Sequence, residues 1–339
     1  MHIGIVGVLG LVGKELVALL EEDEFRDAFS SINLKGYGSK SRPCTDGFYF
    51  SGQSHPVDTL EGLYQDIPSL DLLFIAAPNK VSQEIIKEAQ AQNTKCLIID
   101  GSSAFRMQKD VPLIIPEVNQ ADYNGKSKLI ASPNCVATLM LLALGPLHTA
   151  FGLKRIISSS YQAASGGGKA LLDTLIHDTK AHLAEGESKK GSKAFSIYPH
   201  ESKRLENGYV EEEMKVIEEV RKILNLPSLP ISLRSIRTPS LRAHGISLNI
   251  EFEKKPDLIK AKEVLEKASG ITYLKDSATP EKAAFQKEVF CSDLRCDLSS
   301  PYSLELWIVG DQLLKGSALN MLQIAKVFTE SLTLLKNIP

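Results

Sequence analysis

The sequence predicts an α/β chain in two parts: a doubly wound parallel-sheet domain, then an α+β domain. Three observations lead there. A short apolar run, Ile3-Gly4-Ile5-Val6, passes through a glycine-rich turn into Lys14–Leu20, where apolar residues recur at helical spacing. Strand, loop and helix in that order open a βαβ unit. Further apolar runs, Leu72–Ala77 and Cys96–Asp100, flank the helical pattern of Ser82–Gln90. Strands that read as continuous apolar runs between helices belong to parallel sheets covered on both faces. Later the pattern changes: Ile246–Glu253 and Tyr302–Val309 alternate apolar with polar residues, as strands do in a sheet wet on one side.

The remaining elements follow in order. Ile32–Tyr37 reads as the second strand, and Pro78-Asn79 ends the Leu72 strand. Arg155–Tyr161 is a further strand of the second domain. The polar stretch 186–208, with Lys189-Lys190-Gly191-Ser192-Lys193, is expected to be a mobile loop. The expected boundaries are 1–131 for the first domain and 132–316 for the second. A last helix within 317–339 is expected to pack back on the first.

Bulk properties exclude several classes. A chain of 339 residues exceeds one ordinary core. A net charge of −2 gives no electrostatic reason to bind nucleic acid or a membrane surface. No run is long enough to span a bilayer. The apolar start Ile3–Gly13 lacks a basic leader and a small-residue cleavage pattern, so a cytoplasmic protein is expected. The cysteines at 44, 96, 135, 291 and 296 suggest no disulfide framework. Cys44, Cys96, Cys291 and Cys296 are expected to be buried small hydrophobes. No metal site is expected.

The turn Gly7-Val8-Leu9-Gly10-Leu11-Val12-Gly13 carries the first chemical signal. Gly7 permits a tight turn, Gly10 lets backbone approach a pyrophosphate, and Gly13 allows close helix–sheet packing. The spacing is GxxGxxG, a variant of the usual dinucleotide fingerprint. This makes the first domain Rossmann-type, with Gly7, Leu9, Gly10, Leu11, Val12 and Gly13 as cofactor-binding residues. At the end of the second strand, Gly36–Arg42 holds no carboxylate but has Ser39, Lys40, Ser41 and Arg42. Those groups suit a 2′-phosphate, so NADPH is expected over NADH.

Cys135 carries the second signal. It follows Ser132-Pro133-Asn134 and precedes the apolar run Val136–Leu144, so it should stand at a helix N-terminus. Unpaired amides and the helix dipole there favour the thiolate over an ordinary thiol with pKa about 8.5. A cofactor loop plus an activated thiol points to covalent redox chemistry on an aldehyde or acyl group.

The ordered motifs resemble those of the aspartate-β-semialdehyde dehydrogenase family along essentially the whole chain. They are the glycine loop, Asp100–Arg106, Pro116–Asn119, Ser132–Cys135, Ser160–Gly166, Glu211–Lys215, Arg237–His244 and Lys315–Asn320. The resemblance implies reduction of L-aspartyl-4-phosphate to L-aspartate 4-semialdehyde, with release of inorganic phosphate. The product serves lysine, threonine, methionine and diaminopimelate biosynthesis. Cys135 would be the nucleophile, His244 the general acid/base and Gln162 an orienting group. Arg237 would bind the substrate carboxylate and Glu212 its ammonium. Arg106 and Lys215, with Asn134, would hold phosphate, and Gly166 would line the cofactor. A catalytic and dimerisation domain, and hence a homodimer, is also implied.

Two alternatives stay open: an N-acetyl-γ-glutamyl-phosphate reductase, and a non-catalytic NADP-binding homologue. Glu212 favours an unacylated amine, and Cys135 together with His244 favours catalysis. Val8-Leu9, Gly245, Asp311–Lys315 and Ser196–His200 depart from the usual family pattern.

Overall fold

The computed structural model describes all residues except 30, 39–45, 124, 187–190 and 337–339, and the side chains of 185 and 329–336. The chain divides into two units, Met1–Pro133 with Ser317–Pro339, and Asn134–Gly316.

The first unit runs β1 (His2–Val6), α1 (Leu11–Leu20), α2 (Asp23–Phe29), β2 (Asn33–Tyr37), the hairpin β3 (Phe48–Phe50) and β4 (Gln53–His55), then β5 (Val57–Asp58), α3 (Leu60–Asp66), β6 (Leu72–Ile75), α4 (Asn79–Ala91), β7 (Leu97–Asp100), α5 (Pro116–Asn119) and β8 (Leu129–Ala131). Among the described residues, six parallel strands form one sheet in the order β5-β2-β1-β6-β7-β8. All four residues of β6 and of β7 are buried, as continuous apolar strands between helices must be. The order reverses direction at β1, leaving a switch point at the carboxyl ends of β1 and β6, where doubly wound sheets bind ligands.

The second unit runs α6 (Cys135–Phe151), β9 (Leu153–Gln162), α7 (Lys169–Glu185), β10 (Tyr198–Pro199), α8 (Glu211–Ile223), β11 (Ile231–Arg237), β12 (His244–Phe252), α9 (Leu258–Glu266), β13 (Ile271–Tyr273), α10 (Pro280–Ala283), β14 (Val289–Cys296) and β15 (Ser303–Gly310). Its sheet is mixed, in the order β10-β11-β9-β12-β15-β14-β13 among the described residues. β12 pairs antiparallel with β9 and β15, while β11 pairs parallel with β9. Helices α6, α8 and α9 cover one face. Along β12, Ile246, Leu248, Ile250 and Phe252 are buried, whereas Ser247 is exposed and Asn249 half-buried. The alternation read from the sequence is this one-sided burial.

The last helix, α11 (Leu319–Lys336), packs in the first unit against α1, α2, α5 and β7. Asn320 donates to Ile114 O at 3.1 Å and to Ser132 Oγ at 3.0 Å, which satisfies a buried amide.

Two expectations need correction. The stretch expected to be a mobile loop contains β10, which pairs antiparallel with β11 as Tyr198↔Arg237 and Pro199↔Ile236. Its short length and its Pro hid it from a periodicity reading. Cys296 is exposed, because it lies near the end of β14 beyond a register shift. Cys96 and Cys291 are buried, and burial pushes the Cys96 thiol up to about 12 and the Cys291 thiol up as well. Cys44 lies outside the described residues. No helix among the described residues is long and apolar enough to cross a membrane.

Candidate active site

In the first unit the glycine turn joins β1 to α1. Gly7 has φ +77°, and a Cβ there would stand 2.3 Å from Ala76 O. Its N–H donates to Tyr37 O at 2.8 Å. A Cβ on Gly13 would stand 2.2 Å from Gly7 O, so the helix is drawn tight against the strand. Gly10 differs: it is exposed, and a Cβ there would meet only Gly7 O, at 3.0 Å. No side chain caps α1, and its first turn holds no acidic residue. An exposed glycine ahead of uncapped amides fits a dinucleotide pyrophosphate. Leu9, Leu11 and Val12 are half-buried around it. Ser39, Lys40 and Ser41, the residues expected to choose between NADP and NAD, lie outside the described residues.

Arg106 belongs to this unit too and is 8% exposed. Its Nε donates to Ser132 O at 2.9 Å and its Nη2 to Gly101 O at 2.8 Å. The side chain is thus tied to the residue two positions before Asn134.

In the second unit Cys135 is the first residue of α6, half-buried. Asn134 caps the helix, its Oδ1 accepting from Val136 N at 2.8 Å. The cap is itself clamped from α8. Asn134 Nδ2 donates to Glu212 Oε1 at 2.8 Å, and Asn134 N donates to Glu219 Oε2 at 2.5 Å. Across from the thiol is Gly316, where a Cβ would come within 2.8 Å of Cys135 Cβ. Only a glycine lets the chain pass so close to the sulfur-bearing residue.

His244 opens β12 and is fully buried. Ala163 N–H donates to its Nδ1 at 3.0 Å. A neutral ring that accepts at Nδ1 carries its proton on Nε2. That Nε2 is buried without a hydrogen-bond partner among the described residues. Burial first, then the Arg237 charge, pushes the imidazole down to about 3. His244 is therefore a neutral donor aimed at nothing yet. The space beside it exists because residue 166 is glycine: a Cβ on Gly166 would lie 2.9 Å from His244 Nε2 and 3.2 Å from Arg237 Nη1.

Arg237 ends β11 and is 7% exposed. Its Nη1 donates to Ala163 O at 3.1 Å and its Nη2 meets His200 Nε2 at 2.8 Å. Burial lowers its pKa, opposed by the charges of Glu212 and Cys135. Gln162 pairs with Arg237 in register across β9 and β11, and its Nε2 donates to Ser160 Oγ at 3.1 Å. Lys215 follows Glu212 by one turn of α8, half-buried. In the same helix Glu213 is buried and spent on structure, accepting from Val210 N and Ser235 N at 3.0 Å each.

The second unit thus brings together Asn134, Cys135, Glu212, Arg237, His244 and Gly166, with Gln162 and Lys215 on the same elements. Arg106 and the glycine turn belong to the first unit. Sequence reasoning missed His200, Glu219 and Gln312. Gln312 accepts from Ala243 N at 2.9 Å and donates to Ser165 Oγ at 2.6 Å, holding the turn before His244, where Ala243 adopts φ +67°. Two of these residues carry a signal only in hindsight of topology: an isolated His beside Pro199, and a Glu seven residues, two helical turns, beyond Glu212. The departure at Gly245 has a local cause, since a Cβ there would meet Trp307 Cη2 at 2.4 Å.

Two family models match the chain: the semialdehyde dehydrogenase NAD binding domain over residues 2–125, and the semialdehyde dehydrogenase dimerisation domain over residues 144–315. The fold is therefore that of a nucleotide-binding semialdehyde dehydrogenase. The aspartate-semialdehyde dehydrogenase of Prochlorococcus marinus is 35% identical, covering 96% of this chain and 95% of its own length. That of Rickettsia conorii is 36% identical, covering 96% of each. Among solved structures, aspartate semialdehyde dehydrogenase II of Vibrio cholerae superposes with a TM-score of 0.87 at 29% identity, over 97% of this chain and 98% of that one. A second structure of it, complexed with ASA, gives 0.86. The chain belongs to the aspartate-semialdehyde dehydrogenase family, a family of oxidoreductases.

Proposed function

We propose that this chain interconverts L-aspartyl-4-phosphate and L-aspartate 4-semialdehyde with NADP(H), running toward the semialdehyde in lysine, threonine, methionine and diaminopimelate biosynthesis. The observation that carries the reading is Cys135 at the capped N-terminus of α6, in the same unit as a neutral, unpartnered His244 Nε2. Gly7 and Gly10–Gly13 would hold the cofactor pyrophosphate, with Leu9 beside them, Gly166 at its other end, and Ser39, Lys40 and Ser41 choosing NADP. When bound, the nicotinamide supplies or removes hydride.

In the oxidative direction, Cys135 sulfur bonds to the aldehyde carbon and the carbonyl oxygen becomes negative. His244 Nε2–H donates to that oxygen, a neutral electrophile of the kind low-dielectric sites favour. In this tautomer the ring offers a proton there, which narrows the acid/base role expected for it. Once the carbon is oxidised, Cys135 holds a thioester. A phosphate oxygen then attacks, the C–S bond breaks, and the thiolate returns to the helix N-terminus. Arg237 takes the substrate α-carboxylate and Glu212 the α-ammonium, with Gln162 orienting the acyl group. Arg106 and Lys215, with Asn134, take the phosphate.

The assay is phosphate-dependent reduction of NADP⁺ by aspartate 4-semialdehyde, run beside NAD⁺ and beside the N-acetyl-γ-glutamyl semialdehyde. Activity with the first substrate and a lower Michaelis constant for NADP⁺ are expected. Turnover confined to the acetylated substrate would move the chain to the reductase reading, and none at all to a binding protein.

We also propose a homodimer built on the open face of the mixed sheet. That face holds a hollow of about 540 Å³ lined by Tyr161, Ser247, Asn249 and Trp307, and the matched dimerisation model supports it. Light scattering should give twice the 37.1 kDa chain mass; a monomer would remove this part of the proposal.

A further inference from the structure

The stretch read from sequence as a loop delivers His200 to Arg237. Pairing of β10 with β11 starts this placement, and His200 N continues it by donating to Ser235 O at 2.9 Å. His200 Nε2 stands 2.8 Å from Arg237 Nη2. A guanidinium only donates, so Nε2 must accept and the imidazole proton sits on Nδ1. There it donates to Ser202 Oγ at 3.0 Å, and the Ser202 N–H, 3.1 Å from the same Nδ1, then has no lone pair to donate to. Ser202 Oγ also accepts from Glu212 N at 3.2 Å. Glu212 in turn receives the amide of Asn134, the cap of the Cys135 helix.

These contacts form one line: Arg237, His200, Ser202, Glu212, Asn134. Its two substrate-facing members are the carboxylate anchor and the ammonium anchor of the function proposed above. Among the described residues no other group accepts from Arg237 Nη2, while Nη1 is held by Ala163 O. A guanidinium on a long side chain is precise only when its fork is fixed by partners.

We propose that His200 is a positioning residue for substrate recognition: it fixes the Arg237 guanidinium through Nε2 and couples it, through Ser202, to the backbone of Glu212. The inference rests on Arg237 binding the α-carboxylate. His200 touches neither the reacting carbon nor the thiol, so its loss should weaken substrate binding more than the chemical steps.

The experiment compares His200→Ala, His200→Gln and Arg237→Lys with the unmodified enzyme, using aspartate 4-semialdehyde and its decarboxylated analogue 3-aminopropanal. Loss of one hydrogen bond to a charged group predicts a KM for aspartate 4-semialdehyde raised about 10- to 100-fold in His200→Ala, with kcat changed by less than about threefold. His200→Gln presents an amide oxygen to Arg237 and should restore most of the lost affinity. Neither variant should shift kcat/KM for 3-aminopropanal, which has no carboxylate to place. A purely structural role would move both substrates together and would not be rescued by Gln; that result overturns the proposal. If Arg237→Lys raises the KM and His200→Ala does not, the positioning role fails while the anchor stands. If neither raises it, the reading of Arg237 fails and the inference with it.

Discussion

His244 shows how a single side chain is set by its surroundings. An imidazole ordinarily titrates near 6.5, but burial holds this one down to about 3. Between those two values the unfolded chain binds a proton that the folded chain refuses. Stability therefore rises with pH across that window and is lost as pH falls below about 6.5. His200 is lowered too, chiefly by burial and then by Arg237, and adds a smaller effect of the same sign. Replacing His244 with Asn removes the larger contribution. Urea midpoints of the unmodified enzyme should fall more steeply than those of His244→Asn between about pH 7 and pH 5. Parallel slopes would contradict the neutral, buried imidazole. The sequence could name His244 through the motif around it, but not its protonation. That depends on Ala163 N–H and Gly166, residues some eighty positions away that β9 brings alongside β12.

At the scale of elements, α6 is the part most nearly readable in advance. Ser-Pro-Asn-Cys before an apolar run announces a capped start, and Asn134 does cap it. What the run could not tell is that the cap is also a bolt between helices, held by Glu212 and Glu219 of α8. Asn134→Ala removes the cap and leaves Glu212 without that amide. The variant should lose about 1–2 kcal/mol of unfolding free energy, with a raised KM for the semialdehyde. A change in neither quantity would show that α6 is held by packing alone. The elements not read from sequence include the short β10, β13 and β3–β4 hairpin, and also the longer β11 and β14. Two or three residues carry too little period to distinguish a strand from a turn. In contrast, β1, β6 and β7 are continuous apolar runs whose burial needed no tertiary information.

For the whole molecule, two kinds of sheet divide two tasks. The parallel sheet of the first unit puts glycine amides at its switch point, where a dinucleotide fits. The second unit gathers the Cys135 thiol, the neutral imidazole and the charged side chains of Arg237 and Glu212. The division was visible in the change from continuous to alternating apolar patterning. The proposed preference for NADP rests on the chemistry of residues 39–42, which lie outside the described part of the chain. The most direct test of the mechanism is intact-protein and peptide mass spectrometry of enzyme mixed with aspartate 4-semialdehyde and NADP⁺ without phosphate, then quenched in acid. The expected result is an aspartyl mass increment on the peptide containing Cys135, discharged when phosphate is added and missing from Cys135→Ala. Turnover with an unmodified Cys135 at every quench time would contradict covalent catalysis by this thiol.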